Sequence, residues 1–94
     1  MIKFRVFTTS SFDRDIKKFS KFHHNNIASI FEEAVLILGT DPYNISRNHN
    51  IKKLSDIKRG DGQFRIRIGD WRVRYDIEKD AVILYSFKNR KDGY

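Results

Sequence analysis

The first residues alternate. Ile2, Phe4 and Val6 fall on one side and Lys3, Arg5 and Phe7 on the other, a period of two that predicts a strand over residues 2–8. The period then changes. Phe12, Ile16 and Phe19 recur at helical spacing with Asp13, Arg14, Asp15, Lys17 and Lys18 between them, and Ser10 followed three positions later by Asp13 reads as a capping box. A polar break at His23-His24-Asn25-Asn26 separates this helix from a wider apolar stripe, Ile27, Ile30, Phe31, Ala34, Val35 and Leu38, which stops at Gly39. Two helices in succession predict a helical hairpin. From Thr40 to Asn50 no period survives, and Asp41-Pro42 with its following Asn and His residues marks a surface connection.

From Lys52 onward the period of two returns. Phe64, Ile66 and Ile68 alternate with Arg65 and Arg67; after Gly69-Asp70, Trp71, Val73, Tyr75 and Ile77 alternate with Arg72, Arg74 and Asp76. Gly at the first of two loop positions suits a type II′ turn, which sets Ile68 opposite Trp71, Arg67 opposite Arg72, Ile66 opposite Val73 and Arg65 opposite Arg74. Ala81 to Phe87 supplies a further apolar strand after the polar turn Glu78-Lys79-Asp80. The expected fold class is α+β: an N-terminal strand, a helical hairpin, then a three-stranded antiparallel meander, giving one antiparallel sheet of about four strands with the helices on its apolar face. Trp71, Val73, Ile66, Ile68, Phe31, Val35, Ile27 and Ile16 are the expected core.

Composition narrows the setting. The chain has 94 residues, 39% of them hydrophobic and 33% charged, which supports one modest core and predicts a single domain over 1–94. No cysteine is present, so thiolate metal sites, cysteine nucleophiles and disulfides are excluded. No apolar run approaches the roughly 18 residues of a membrane span, and the alternating start is unlike a signal-peptide core. A cytoplasmic protein with no membrane partner is expected. His23, His24 and His49 lack the spacing of a metal site, and Gly60-Asp61-Gly62 reads as a turn rather than a nucleotide cradle, so neither a metal nor another cofactor is indicated.

Charge carries the chemistry. Lys and Arg number 19 against 12 Asp and Glu, a net +7. In the hairpin register Arg65, Arg67, Arg72 and Arg74 crowd one face, where directly opposed like charges destabilise. Four guanidiniums so placed call for an anion as countercharge, and a phosphodiester fits. A solvated cationic face that discourages aggregation is the plainer reading. Lys52, Lys53, Lys58 and Arg59 before the hairpin, and Lys88, Arg90 and Lys91 after the last strand, extend the positive field, which suits nucleic acid or an acidic protein. Tyr94 can stack on a base or simply end the chain disordered. In RNA the 2′-hydroxyl attacks its own neighbouring phosphate, so an enzyme needs mainly to align it, neutralise the phosphorane and move protons; arginines meet the second need without a metal.

The run Phe64-Arg65-Ile66-Arg67-Ile68-Gly69-Asp70-Trp71-Arg72-Val73-Arg74-Tyr75-Asp76, with Ile51-Lys52-Lys53-Leu54 before it and Asn89-Arg90-Lys91-Asp92-Gly93-Tyr94 after it, resembles the RelE/ParE superfamily of toxins. The resemblance extends over nearly the whole chain and implies a toxin of a type II toxin–antitoxin system. Its RelE branch implies a ribosome-dependent, metal-independent mRNA endonuclease that inhibits translation. Matched to that branch, Arg65, Arg67, Arg72, Arg90 and Tyr94 are the implied catalytic set: Arg67 and Arg72 on the phosphorane, Arg90 at the leaving 5′-oxygen, Tyr94 on a base. Lys52, Lys53, Arg74, Lys88 and Lys91 are the expected RNA contacts. The implied partners are a cognate acidic antitoxin and the ribosome with its mRNA, with DNA reached only through the antitoxin complex. Arg65 and Arg67 stand where the best-known RelE members carry lysines, one of them proposed as general base. Arginine is not deprotonated, which leaves Lys52, Lys53, Lys88, Asp92 or the ribosome for that role. The other readings are a ParE-like inhibitor of DNA gyrase without nuclease activity and a non-catalytic RNA-binding module.

Overall fold

The structure, a computed structural model, describes residues 3–89, with the backbone alone described at 22–26. Among these residues β1 (Arg5–Thr8) leads into α1 (Ser10–Thr40), and β2 (Ile51–Lys53), β3 (Phe64–Ile68), β4 (Trp71–Glu78) and β5 (Ala81–Asn89) follow. The expected core residues Trp71, Val73, Ile66, Ile68 and Ile27 are buried. Phe31 and Ile16 are half-buried and pack against that core, and Val35 is half-buried.

Helical backbone runs through all 31 residues of α1, yet the element cannot be straight. At about 1.5 Å per residue it would reach about 46 Å, whereas the longest dimension of the molecule is 34 Å. The Phe12 and Phe31 rings meet with centroids 5.8 Å apart, so the chain reverses between them. The predicted helical hairpin is therefore present, with helical backbone carried through the turn. Its N-cap is Thr9 rather than Ser10. Thr9 is extended and its hydroxyl accepts the Phe12 N–H at 3.1 Å. The same hydroxyl donates to the Leu84 carbonyl at 3.0 Å, tying the helix start to β5; this tertiary anchor moves the cap one residue earlier than the local pattern suggests.

The sheet has the order β1-β5-β4-β3-β2. Two expectations need correction here. The sheet is mixed, because β1 runs parallel to β5, with Arg5 beside Ala81 and Thr8 beside Leu84. It also has five strands among the described residues, because Ile51–Lys53 pairs with β3. Strand direction depends on how the helical hairpin returns the chain, which no local period encodes. A three-residue strand is too short to display one.

One face of this sheet is apolar and lies under α1. Ile66, Ile68, Trp71, Val73, Tyr75, Val82, Leu84 and Phe87 are buried there, with Phe19 edge-on to Trp71 at 5.1 Å and Trp71 stacked on Phe87 at 4.6 Å. Burial pushes the Tyr75 phenol up, so it stays protonated, and it donates to the Pro42 carbonyl at 2.7 Å. β1 covers β5 only as far as Leu84. Beyond that, the Phe87 N–H donates to the buried Asp15 carboxylate of α1 at 3.0 Å, which satisfies an edge that no strand among the described residues pairs. Among the described residues no helix is long and apolar enough to cross a membrane.

Candidate nucleic-acid interface

The hairpin forms in the predicted register. Ile68 faces Trp71, Arg67 faces Arg72, Ile66 faces Val73 and Arg65 faces Arg74. Gly69 has φ 61°, and Asp70 does not share that left-handed backbone, as a type II′ turn requires. Since the apolar partners fill the helix-covered side, all four arginines project from the open side. Neighbouring strands extend the pattern: Lys52 of β2 lies beside Arg65, and Lys88 and Ser86 of β5 lie beside Arg72 and Arg74. The result is two rows across the sheet, Arg67-Arg72-Lys88 and Lys52-Arg65-Arg74-Ser86. Cross-strand neighbours are about 5 Å apart at their backbones, so the cations of each row are mutually repulsive.

The six cations are not equivalent. Arg74 is tied down: its Nε donates to Gly62 O at 3.2 Å, and its Nη2 donates to Gly62 O at 3.0 Å and Asp61 O at 2.9 Å. The same loop is held from the other side by Asp76, which is 1% exposed. Its carboxylate accepts the Gly60 N–H, the Gly62 N–H at 3.4 Å and the Gln63 N–H at 2.7 Å. Gly62 has φ 83°, and a Cβ there would stand 3.0 Å from the Arg74 Cβ, so only glycine permits this approach. Lys88 is partly withdrawn as well, with Nζ 3.0 Å from Asp15 Oδ1.

Toward the Gly69 turn Arg65 and Arg67 are held less firmly than Arg74. Among the described residues, the Arg67 Nε reaches only the Gly69 carbonyl at 3.4 Å, and the Arg65 Nε is enclosed without a hydrogen-bond acceptor. By register Arg65, Arg67 and Arg72 share this end of the face, with the exposed Lys52 at their side, a cationic surface fit for phosphate. Lys53 does not join it. Pairing with Phe64 puts Lys53 on the helix side of the sheet, its ammonium 5.7 Å from the Phe64 ring centroid. Lys58 and Arg59 sit exposed on the loop held by Asp76. Arg90, Lys91, Asp92 and Tyr94 lie outside the described residues.

Sequence patterning missed two carboxylates. Asp76 and Asp15 looked like ordinary polar positions of an alternating strand and an amphipathic helix. The available signal was Gly60-Asp61-Gly62, a turn of the kind whose bare N–H groups need an acceptor. A separate cleft of about 630 Å³, bordered by Phe4, Pro42, Tyr43 and Ile45, contains none of the arginines.

Residues 6–94 match the family model described as the ParE toxin of the type II toxin–antitoxin system parDE. The chain belongs to this toxin family. Its fold is that of the RelE/ParE superfamily. The toxin is similar to a chain of the RelBE2 toxin–antitoxin complex from Mycobacterium tuberculosis, with 24% identity and TM-score 0.74, covering 98% of this chain and 97% of that one. It is also similar to a chain of the archaeal RelE–RelB complex from Pyrococcus horikoshii, at 23% identity and TM-score 0.66, covering 98% and 100%. The RelB–RelE complex from Methanococcus jannaschii gives 22% identity and TM-score 0.57, covering 90% and 91%. No curated relative matches the toxin.

Proposed function

We propose that this toxin is an mRNA endonuclease acting on the ribosome, without a metal, through attack of the 2′-hydroxyl on the adjacent phosphate. The observation that carries the proposal is the register: Arg67 against Arg72, and Arg65 between Arg74 and Lys52, on one open face. In the reaction the 2′-oxygen bonds to phosphorus as its proton leaves to a base. The bond from phosphorus to the 5′-oxygen breaks as that oxygen takes a proton, leaving a 2′,3′-cyclic phosphate and a 5′-hydroxyl. Charge builds on the non-bridging oxygens between these events, and Arg65, Arg67 and Arg72 are fixed donors for it. Because the nucleophile is internal to the substrate, alignment and charge stabilisation are the protein's main tasks. Arg90 and Tyr94 are carried over from the superfamily resemblance, as protonating or stabilising group at the 5′-oxygen and as base-stacking ring. Of the lysines open as general base, Lys52 is the one whose backbone lies in the arginine rows with no acid among the described residues paired to its ammonium, whereas Lys88 is held by Asp15.

The partner follows from the same charge. The similar chains come from toxin–antitoxin complexes, and an acidic antitoxin covering the arginine face silences it. DNA is then reached only through the antitoxin.

A second reading, a toxin that binds and inhibits DNA gyrase without cutting RNA, is favoured by the matched ParE model and by arginines where a lysine base would stand. Adding the purified toxin to a translation reaction, with primer extension of the message, and to a gyrase supercoiling reaction separates the two. Codon-phased cuts that require ribosomes, with supercoiling intact, support the endonuclease. Intact message with blocked supercoiling overturns it.

A further inference from the structure

The β4–β5 ladder breaks its register once. Arg74 faces Ser86, but Tyr75 faces Leu84, so Tyr85 is an extra residue on β5. Leu84 and Phe87 both enter the core. The bulge therefore sets two consecutive side chains, Tyr85 and Ser86, on the open face, where a regular strand would present one. Tyr85 is half-buried there.

Its surroundings differ from those of the arginines. Burial raises the Tyr85 phenol pKa, and the charges of Asp76, Glu78 and Asp61 raise it further, so the ring stays neutral. Those carboxylates repel phosphate. An uncharged aromatic surface in that position instead suits an uncharged ligand, and the cationic rows begin immediately beside it, at the Ser86-Arg74 pair. Single-stranded nucleic acid presents this combination, a charged backbone with flat neutral bases, and proteins hold it with cationic grooves next to aromatic platforms. Phe7, on the same face, is exposed, but it lies on the outer strand β1, beyond β5 from the arginine rows, with the Arg5 guanidinium 5.7 Å from its ring centroid.

We propose that Tyr85 is a nucleobase platform: RNA whose phosphates lie on Arg65, Arg67 and Arg72 stacks a base on the Tyr85 ring. This rests on the RNA reading above and adds a base-binding site to it.

The test is the affinity of the purified toxin for a fluorescent, mixed-sequence, single-stranded RNA of about 12 nucleotides, measured across a range of salt. Tyr85→Ala and Tyr85→Leu are expected to bind roughly tenfold more weakly than the parent, with the slope of log affinity against log salt unchanged, because a stacked base neutralises no phosphate. Tyr85→Phe is expected to match the parent. Emission of the buried Trp71 reports that each variant is folded. Parent-like affinity in Tyr85→Leu, while Arg67→Ala loses both affinity and slope, removes the platform and leaves the phosphate reading standing. A Tyr85→Phe variant as weak as Tyr85→Leu removes stacking in favour of the hydroxyl. A parent that binds no RNA overturns the RNA reading and the platform with it.

Discussion

Arg67 and Arg74 leave the same face of the same hairpin, each opposed in register by another arginine, and they end in different chemical situations. Arg74 places its guanidinium on two backbone carbonyls of the Gly60-Gly62 loop, next to the Asp76 carboxylate that gathers the same loop. Arg67, among the described residues, makes one long hydrogen bond, at the turn. At the loop end, positive charge builds structure. At the turn end, Arg65 and Arg67 stay close to further cations on the neighbouring strands, an arrangement that an anion complements. A count of arginines overstates the binding surface, because charge becomes available for a ligand only where the fold leaves it unused.

The largest expected effects set the two ends against each other. Arg72→Ala should lower ribosome-dependent message cleavage about a hundredfold or more, the usual scale for losing one donor to developing charge. Arg74→Ala should lower it by less than about tenfold, and growth arrest on induction should follow the same order. Equal losses would erase the distinction between the ends.

Stability should show the reverse. Asp76→Ala strands the N–H groups of Gly60, Gly62 and Gln63 and should cost about 3 kcal/mol in urea denaturation followed by Trp71 fluorescence. Arg74→Ala removes charge-assisted bonds to two carbonyls and should cost about 2 kcal/mol. Arg67→Ala should fall within about 0.5 kcal/mol of the parent, since it breaks one weak contact and relieves repulsion.

The hairpin was fully legible in the residue pattern, because its information is local: a period of two on each side of Gly69-Asp70 leaves one register. The helical hairpin was legible for the same reason, from two apolar stripes around a polar break. The parallel pairing of β1, the short β2 and the Thr9 cap were not, since each depends on chain segments far apart in sequence, such as Thr9 with Leu84. Within the candidate site, the shared face of Arg65, Arg67, Arg72 and Arg74 was predicted, whereas the division between them was not. That division is made by Asp76, by Gly62 and by a loop whose path no periodicity describes. That Lys53 faces the helix side was not legible either, because β2 is too brief to reveal the facing of its side chains.

The smallest expected effect concerns a region remote from both ends. Hydrogen bonds from the Ser46 hydroxyl and from the Ile45 and Ser46 N–H groups, with help from His49, hold the Asp41 carboxyl below its ordinary 3.8 against the opposing effect of burial. A depressed carboxyl stabilises the folded state above its unfolded pKa, and that contribution disappears as pH falls through the folded value. Stability measured from neutral pH down through the range below 3.8 should therefore drop more steeply in the parent than in Asp41→Asn. Arg74→Ala and Arg67→Ala should leave that difference unchanged.

The contrast between the two ends of the arginine face is tested most directly by the salt dependence of single-stranded RNA affinity in Arg67→Ala and Arg74→Ala. The expected result is that Arg67→Ala lowers the slope of log affinity against log salt by about 0.7, the loss of one neutralised phosphate, while Arg74→Ala leaves the slope at the parent value. Identical slopes in both variants and the parent would contradict phosphate binding at the Gly69 turn.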